Sequence, residues 1–192
     1  MAKKKSQKQI PGNYSGTRAK KDNTYENNRR RNYMILSTAA IIIGLIMMNW
    51  QSLGSSRTTM ELAYSDVTTE IREMEDAVKS YADQAGEASK AAGDAYLKAY
   101  KTLQEAESAE ERSEAASAYA QAFSALQEAA DKAGMSDASY VEARDAARKA
   151  MEGFRTAVAD YNTKAASYNK TVTGFPTRIL ASVMRYEKAG LI

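Results

Sequence analysis

The sequence predicts an all-α protein: an N-terminal transmembrane helix, then an antiparallel bundle of three long helices and a short C-terminal helix. Apolar residues recur at alternate steps of three and four along most of the chain, as they do on the buried stripe of a helix. Only two prolines occur among the 192 residues, so few positions interrupt such helices. No stretch shows the period-two alternation that is typical of half-buried strands.

The first 32 residues are predicted to form a disordered basic tail. Residues 1–33 contain ten Lys or Arg against two acids, a net charge of +8, whereas residues 34–192 contain seventeen against twenty-two, a net charge of −5. Few apolar residues separate the charges of the tail, and such a segment cannot bury enough surface to offset its chain entropy. Contacts with anionic lipids, contacts with RNA, and a role in setting membrane topology all explain this charge.

Residues 33–50 are predicted to span a membrane. They lie within 25 consecutive uncharged residues, from Asn32 to Ser56, and a span needs about 17–25 predominantly apolar residues. Tyr33 and Trp50 bracket the apolar run at the positions where aromatic side chains meet lipid headgroups. Three basic residues precede the span: Arg29, Arg30 and Arg31. Because basic residues concentrate in cytoplasmic segments, we expect a cytoplasmic tail, a single pass through the plasma (inner) membrane, and an extracytoplasmic C-terminal domain.

A cleavable signal peptide is the alternative interpretation of the apolar segment. The small residues of Leu53–Ser56 would suit a cleavage site. An n-region of more than thirty residues is long for a signal peptide, however, and this favours an uncleaved anchor. Residues 51–57 would then link the anchor to an extracytoplasmic bundle over 58–192.

The first long helix of the bundle is predicted at about 58–106. Thr58 and Glu61 have capping-box spacing, and an apolar seam follows them without interruption as far as Ala99. At about 1.5 Å per residue, this helix would be on the order of 70 Å long. The second half of its seam is mostly alanine, which allows a partner helix to approach closely.

The second long helix is predicted at about 109–133. Ser108 and Glu111 repeat the capping-box spacing, which predicts a turn immediately before the helix. Gly134 is placed to end it. Helices joined by such short turns pack antiparallel.

The third long helix is predicted at about 138–173, with Ser136 or Ser139 as its N-cap. Pro176 then interrupts the helical pattern, because the residue before a proline avoids the helical region. A short amphipathic helix is predicted within 177–188.

The sequence contains neither Cys nor His. The commonest general base, the commonest transition-metal ligand and all thiol chemistry are therefore missing, so we expect no enzyme, no metal site and no cofactor. A nucleic-acid-binding core would need basic residues on the folded part, whereas that part is acidic. We accordingly expect neither nucleic acid nor a small-molecule substrate as a ligand.

Two Tyr-Asn pairs and one Phe-Pro pair lie one heptad apart near the C-terminus. With an arginine upstream, the residues of this pattern are Arg155, Tyr161, Asn162, Tyr168, Asn169, Phe175 and Pro176. In this pattern the sequence resembles a divergent member of the LemA family of bacterial membrane-anchored helical proteins, over about residues 58–185. The resemblance implies an N-terminal transmembrane helix, an antiparallel helical bundle and no established enzymatic activity.

Tyr161, Tyr168 and Phe175 lie on one apolar stripe that runs over 151–179. We expect this stripe to be buried in the core, with the tyrosine hydroxyls reaching the edge of the bundle. A stripe that faces outward and binds a ligand is the alternative.

Asn162 and Asn169 each follow a position of the stripe and therefore sit beside it. Asparagine is mildly unfavourable inside a helix, which suggests hydrogen bonds to a facing helix, or else a partner-binding edge. The segment 177–188 is expected to pack back on the bundle. Its basic residues also allow the alternative that it lies on a membrane surface.

These expectations favour a scaffold or protein-interaction module at the cell envelope. Its partners would be the lipid bilayer and either another protein or a second copy of the chain, bound through helical faces. The alternative is a membrane-tethered sensory or ligand-binding bundle, which would need a polar pocket between the helices.

Overall fold

A computed structural model describes the backbone of residues 15–192 and the side chains from Tyr25 onward, and every regular element in this part is an α-helix. The helices are α1 (Ser15–Glu73), α2 (Glu75–Ala85), α3 (Lys90–Glu105), α4 (Ala109–Lys132), α5 (Ala138–Thr173) and α6 (Thr177–Val183). The predicted all-α class is confirmed. The chain forms two compact units, one ending at Met47 and the other comprising Met48–Ile192.

The described part of the first unit is helical. Residues 15–32, which were predicted to be disordered, form the first turns of α1; residues 1–14 of the predicted tail lie outside the described residues. Lys, Arg and Glu have high helix propensity, and a helix that is already formed gains one hydrogen bond for each residue it adds. One helical stretch of the described residues, within α1, is long and apolar enough to cross a membrane, and its apolar side chains are exposed.

The second unit begins with helix rather than with a linker. Residues 51–57 are turns of α1, and Leu53 is only 1% exposed. Leu53 packs in a small apolar cluster with Tyr168, Val172 and Ala181. No cap forms at Thr58, because the helix runs through it; Glu61 instead pairs with Arg57 at 2.6 Å.

The prediction of one long helix over 58–106 is wrong. α1 gives way to α2 at Met74, and the chain reverses after Ala85 and returns as α3. The Tyr100 hydroxyl donates a hydrogen bond to the Ile71 carbonyl oxygen at 2.7 Å. A straight helix would separate these two residues by about 44 Å, at 1.5 Å for each of 29 steps.

Small residues form the turn of this hairpin. Ser89 is the N-cap of α3, and its hydroxyl accepts the Ala92 N–H at 3.3 Å. A Cβ atom on Gly93 would lie 3.3 Å from the Gly86 Cα. Glycine at position 93 therefore lets the two arms come together near the turn.

The turn between α3 and α4 follows its predicted signal. The Ser108 hydroxyl accepts the Glu111 N–H at 3.1 Å, and the Glu111 carboxylate accepts the Ser108 N–H at 3.3 Å, which completes the capping box. Glu111 also accepts the Glu107 N–H, and these backbone hydrogen bonds hold the pKa of its carboxyl below the usual value.

The turn between α4 and α5 has the predicted glycine but a different cap. Gly134 ends α4 with a φ of 68°, in the left-handed region that favours glycine. The N-cap of α5 is Asp137 rather than Ser136 or Ser139, and its carboxylate accepts the Tyr140 N–H at 2.7 Å. An ionised carboxylate at a helix N-terminus also gains from the helix dipole.

Aromatic rings fill the centre of the second unit. Tyr81 of α2 meets Tyr96 of α3 edge-on, with ring centroids 5.8 Å apart. Tyr96 in turn stacks on Tyr119 of α4 at 5.2 Å. Tyr81 also contacts Phe123 of α4 and Tyr140 of α5. Four helices therefore share one aromatic core.

Candidate functional site

The motif tyrosines of α5 are buried in the described structure. Tyr161 is 3% exposed and Tyr168 is 4% exposed. The Tyr161 ring packs against Tyr64 of α1, with centroids 5.3 Å apart. Burial is the main cause that raises the pKa of both hydroxyls above the usual value, so each remains a protonated donor at neutral pH.

The two motif asparagines bind backbone rather than a facing helix. The Asn169 side chain accepts the Ala189 N–H at 2.7 Å and donates to the Ala189 carbonyl oxygen at 2.9 Å. Asn162 makes the same pair with Ile192, accepting its N–H at 2.9 Å and donating to its carbonyl oxygen at 2.7 Å. Each amide thus presents one acceptor and one donor to a single residue, as a neighbouring strand would.

The spacing of the asparagines matches that of the segment they hold. Seven residues of a helix rise about 10.5 Å, which is the distance along α5 between positions 162 and 169. Three residues of extended chain cover about 10 Å, so an extended run from Ala189 to Ile192 would match this spacing. Two side chains one heptad apart on a helix can therefore reach two residues that are three positions apart in an extended peptide.

Tyr161 completes this arrangement, which we call the clamp (Tyr161, Asn162 and Asn169). The Tyr161 hydroxyl donates to the Gly190 carbonyl oxygen at 2.7 Å. A Cβ atom on Gly190 would lie 3.2 Å from the Ala109 Cβ at the start of α4, so the site favours glycine there. Chemically, the clamp binds main-chain N–H and C=O groups of the segment after α6.

A buried arginine lies close to the clamp. Arg112 is 6% exposed, and its guanidinium donates to the Thr68 hydroxyl at 2.9 Å and to the Ala106 carbonyl oxygen at 2.6 Å. It also sits 4.7 Å from the centre of the Tyr64 ring, in a cation–π contact. Arg112 therefore ties the turn before α4 to α1, behind the ring that supports Tyr161.

The role of Arg112 was missed from the sequence, although a signal was present. It lies seven residues before Tyr119 and therefore falls on the buried seam of α4, where a charge is rare unless it is paired. The segment after α6, which the clamp binds, gave no such signal, because its apolar residues follow no helical periodicity.

The remaining motif residues do not join the clamp. Arg155 and Pro176 are exposed. Phe175 is 82% exposed and Ile179 is 60% exposed, so the predicted buried stripe is wrong at its end. The heptad continues in the sequence, but α5 stops at Thr173 and the chain turns into α6, which carries these two side chains out of the core.

The predicted anchor flanks are exposed in the structure. Tyr33 and Trp50 are 60% and 55% exposed. The exposed basic residues before the apolar run are Arg29, Arg30 and Arg31. The Arg29 guanidinium lies 5.6 Å from the centre of the Tyr33 ring, which orients both side chains on one face of α1.

Known proteins add no identity to these observations. No family model matches the chain, and no curated protein matches its sequence. Among the described residues, no group of three or more acidic side chains is placed to hold a metal ion.

Proposed function

We propose that this chain is a LemA-like, single-pass membrane protein whose antiparallel helical bundle acts as a non-enzymatic scaffold or protein-interaction module. In this proposal α1 anchors the chain in the plasma (inner) membrane. The basic tail faces the cytoplasm, and the second unit lies on the extracytoplasmic side.

The observation that carries the proposal is the exposed apolar run of α1. Large apolar side chains between Tyr33 and Trp50 are about half to three-quarters exposed, among them Ile42, Leu45 and Met48. A protein in water rarely leaves so long an apolar stretch uncovered. The basic cluster before the run favours the proposed orientation.

The second unit supports the scaffold part of the proposal. Its aromatic core is closely packed, and its clamp binds main chain by hydrogen bonds alone. The clamp is filled by residues 189–192 of the same chain, so it braces the unit and leaves the outer helical faces to meet a partner. A membrane-tethered sensory or ligand-binding bundle is the alternative function.

Membrane anchoring is tested by alkaline carbonate extraction of cell membranes that contain the full chain. We expect the chain to stay in the pellet. Replacing both Ile42 and Ile43 with Lys should release it, since each central charge costs about 2.5–3.5 kcal/mol on the insertion scale. Recovery of the unaltered chain in the soluble fraction would contradict the proposal.

The scaffold role is tested by photo-crosslinking in intact membranes. A photoreactive residue replacing Ala118, an exposed residue of α4, should form adducts with another membrane protein or a second copy. The matched control is Leu103, which is 0% exposed and should give only the monomer. If exposed positions on every helix of the second unit also gave only the monomer, the scaffold role would be abandoned. A shift in melting temperature with a metabolite would then favour the sensory alternative.

A further inference from the structure

An apolar stripe lies open to solvent at the end of the second unit. Phe175, Ile179 and Val183 are 82%, 60% and 78% exposed. Ile179 and Val183 are four residues apart within α6 and therefore share one face of it. Phe175 lies in the turn just before the helix and adds a third exposed apolar side chain at that end. The opposite face packs into the unit through Thr177 and Ala181, both of which are buried.

The buried face of α6, opposite the stripe, packs against the part of α1 that follows the apolar run. The Thr177 hydroxyl donates to the Asn49 side-chain oxygen at 3.2 Å. One turn farther along each helix, Ala181 and Leu53 share a buried cluster. Asn49 is the residue that directly follows the apolar run Met34–Met48 in the sequence.

The direction of α5 explains how α6 comes to lie there. Tyr140, near the start of α5, contacts Tyr81 of α2, and Tyr161, farther along, contacts Tyr64 of α1. α5 therefore runs antiparallel to α1 and α2, and its end returns toward Asn49. Three successively antiparallel helices, as predicted from the sequence, would instead have pointed the third one away from the anchor and kept α6 far from a membrane.

The length of the apolar run sets the level of Asn49 in a bilayer. The fifteen residues Met34–Met48 span about 22 Å as a helix, whereas the hydrocarbon core is about 30 Å thick. The uncharged residues on either side must fill the difference. Asn49 and the adjacent α6 would then lie at the boundary between acyl chains and headgroups.

The charges around the stripe suit the same location. Arg178, Arg185 and Lys188 are exposed and flank the apolar side chains in sequence. The exposed Glu187 lies among them, so three positive charges and one negative leave a net charge of +2. Anionic headgroups attract such residues, while the apolar stripe enters the boundary region.

We propose that Phe175 and the outer face of α6 dock into the bilayer that α1 spans, so that the base of the second unit rests on the membrane surface. The occupant of the stripe is lipid, not a protein. This inference rests on the proposed membrane anchoring and adds a second attachment point to it. Two attachments fix the tilt of the unit, which a single helix alone does not.

Spin labels on the full chain test this proposal, since the sequence has no Cys to interfere. Single cysteines replace Ile179, Leu62 or Ile42, and each labelled chain is reconstituted in vesicles of phosphatidylcholine and phosphatidylglycerol. Line broadening by oxygen, which partitions into lipid, is compared with broadening by a water-soluble nickel chelate. Leu62 is the matched control, because it is an exposed apolar residue of α1 that lies nine residues beyond Leu53.

The label at Ile179 should lose broadening by nickel and keep broadening by oxygen, as the label at Ile42 should, while the label at Leu62 stays open to nickel. Nickel broadening at Ile179 equal to that at Leu62 would overturn the docking. Protection at Ile179 from both reagents would also overturn it, because protein rather than lipid would then cover the stripe. Nickel broadening at Ile42 would instead contradict the membrane anchoring itself.

Discussion

Two kinds of buried tyrosine hydroxyl occur in the aromatic core, and they should respond differently to substitution. The Tyr96 and Tyr119 hydroxyls lie 2.7 Å apart and share a hydrogen bond. The hydroxyls of Tyr81 and Tyr140 are buried without a hydrogen-bond partner among the described residues. A buried polar group stabilises a fold only when it is paired.

The substitution Tyr96→Phe should lower the free energy of unfolding by about 1–3 kcal/mol, because it leaves the Tyr119 hydroxyl buried and unpaired. Tyr81→Phe removes the same atom from an equally buried ring but breaks no hydrogen bond. Its expected effect is neutral or stabilising. Urea unfolding of the full chain in detergent micelles, followed by near-UV circular dichroism, measures both. Equal losses for the two variants would count against this assignment of the hydroxyls.

For individual residues, the sequence predicted which side chains are buried better than it predicted their hydrogen-bond partners. The three-four spacing correctly indicated that Tyr161 and Tyr168 are buried, because apolar periodicity reflects a core directly. It did not reveal that Asn162 and Asn169 bind residues 189 and 192. Those acceptors and donors belong to the main chain, and every residue carries the same pair.

Among the elements, the sequence located most helix ends and missed one reversal. α4 and α5 lie close to their predicted ranges, because a capping box and a glycine mark their ends. The hairpin between α2 and α3 was missed, since the three-four spacing of apolar residues continues without a break past Gly86 and Gly93. A heptad pattern fixes which face is buried, and both a straight helix and a folded one can satisfy it.

The distance between two spin labels distinguishes the α2–α3 hairpin from a single straight helix. Arg72 and Lys101 are exposed and adjoin the hydrogen-bonded pair Ile71 and Tyr100. Labels at 72 and 101 in the folded hairpin should lie within about 25 Å, since packed helix axes are about 8–10 Å apart and the label arms add the rest. A straight helix would hold them about 44 Å apart. Pulsed electron resonance separates these values clearly, and the longer distance would show that the hairpin does not form.

The whole second unit depends on an aromatic core whose tyrosines must remain protonated. Burial raises the pKa of Tyr100 to about 12. Burial is also the leading cause that raises the pKa of Tyr81, Tyr96 and Tyr119. A tyrosine in an unfolded chain titrates near pH 10. The four groups therefore favour the folded state, fully so below pH 10.

Above pH 10 this advantage should disappear, because the unfolded chain releases protons that the folded core retains. The free energy of unfolding should fall by about 1.4 kcal/mol per pH unit for each such group, until the pH passes the pKa of that group in the folded state. The fall should be steepest just above pH 10, where all four tyrosines contribute to it. The stability of the second unit should therefore decrease as the pH rises above 10, and Tyr81→Phe, with one group fewer, should show a shallower fall. Urea unfolding at a series of pH values from 9 to 12 measures the slope, and a flat profile would mean that the core tyrosines ionise near pH 10 in the folded state as well.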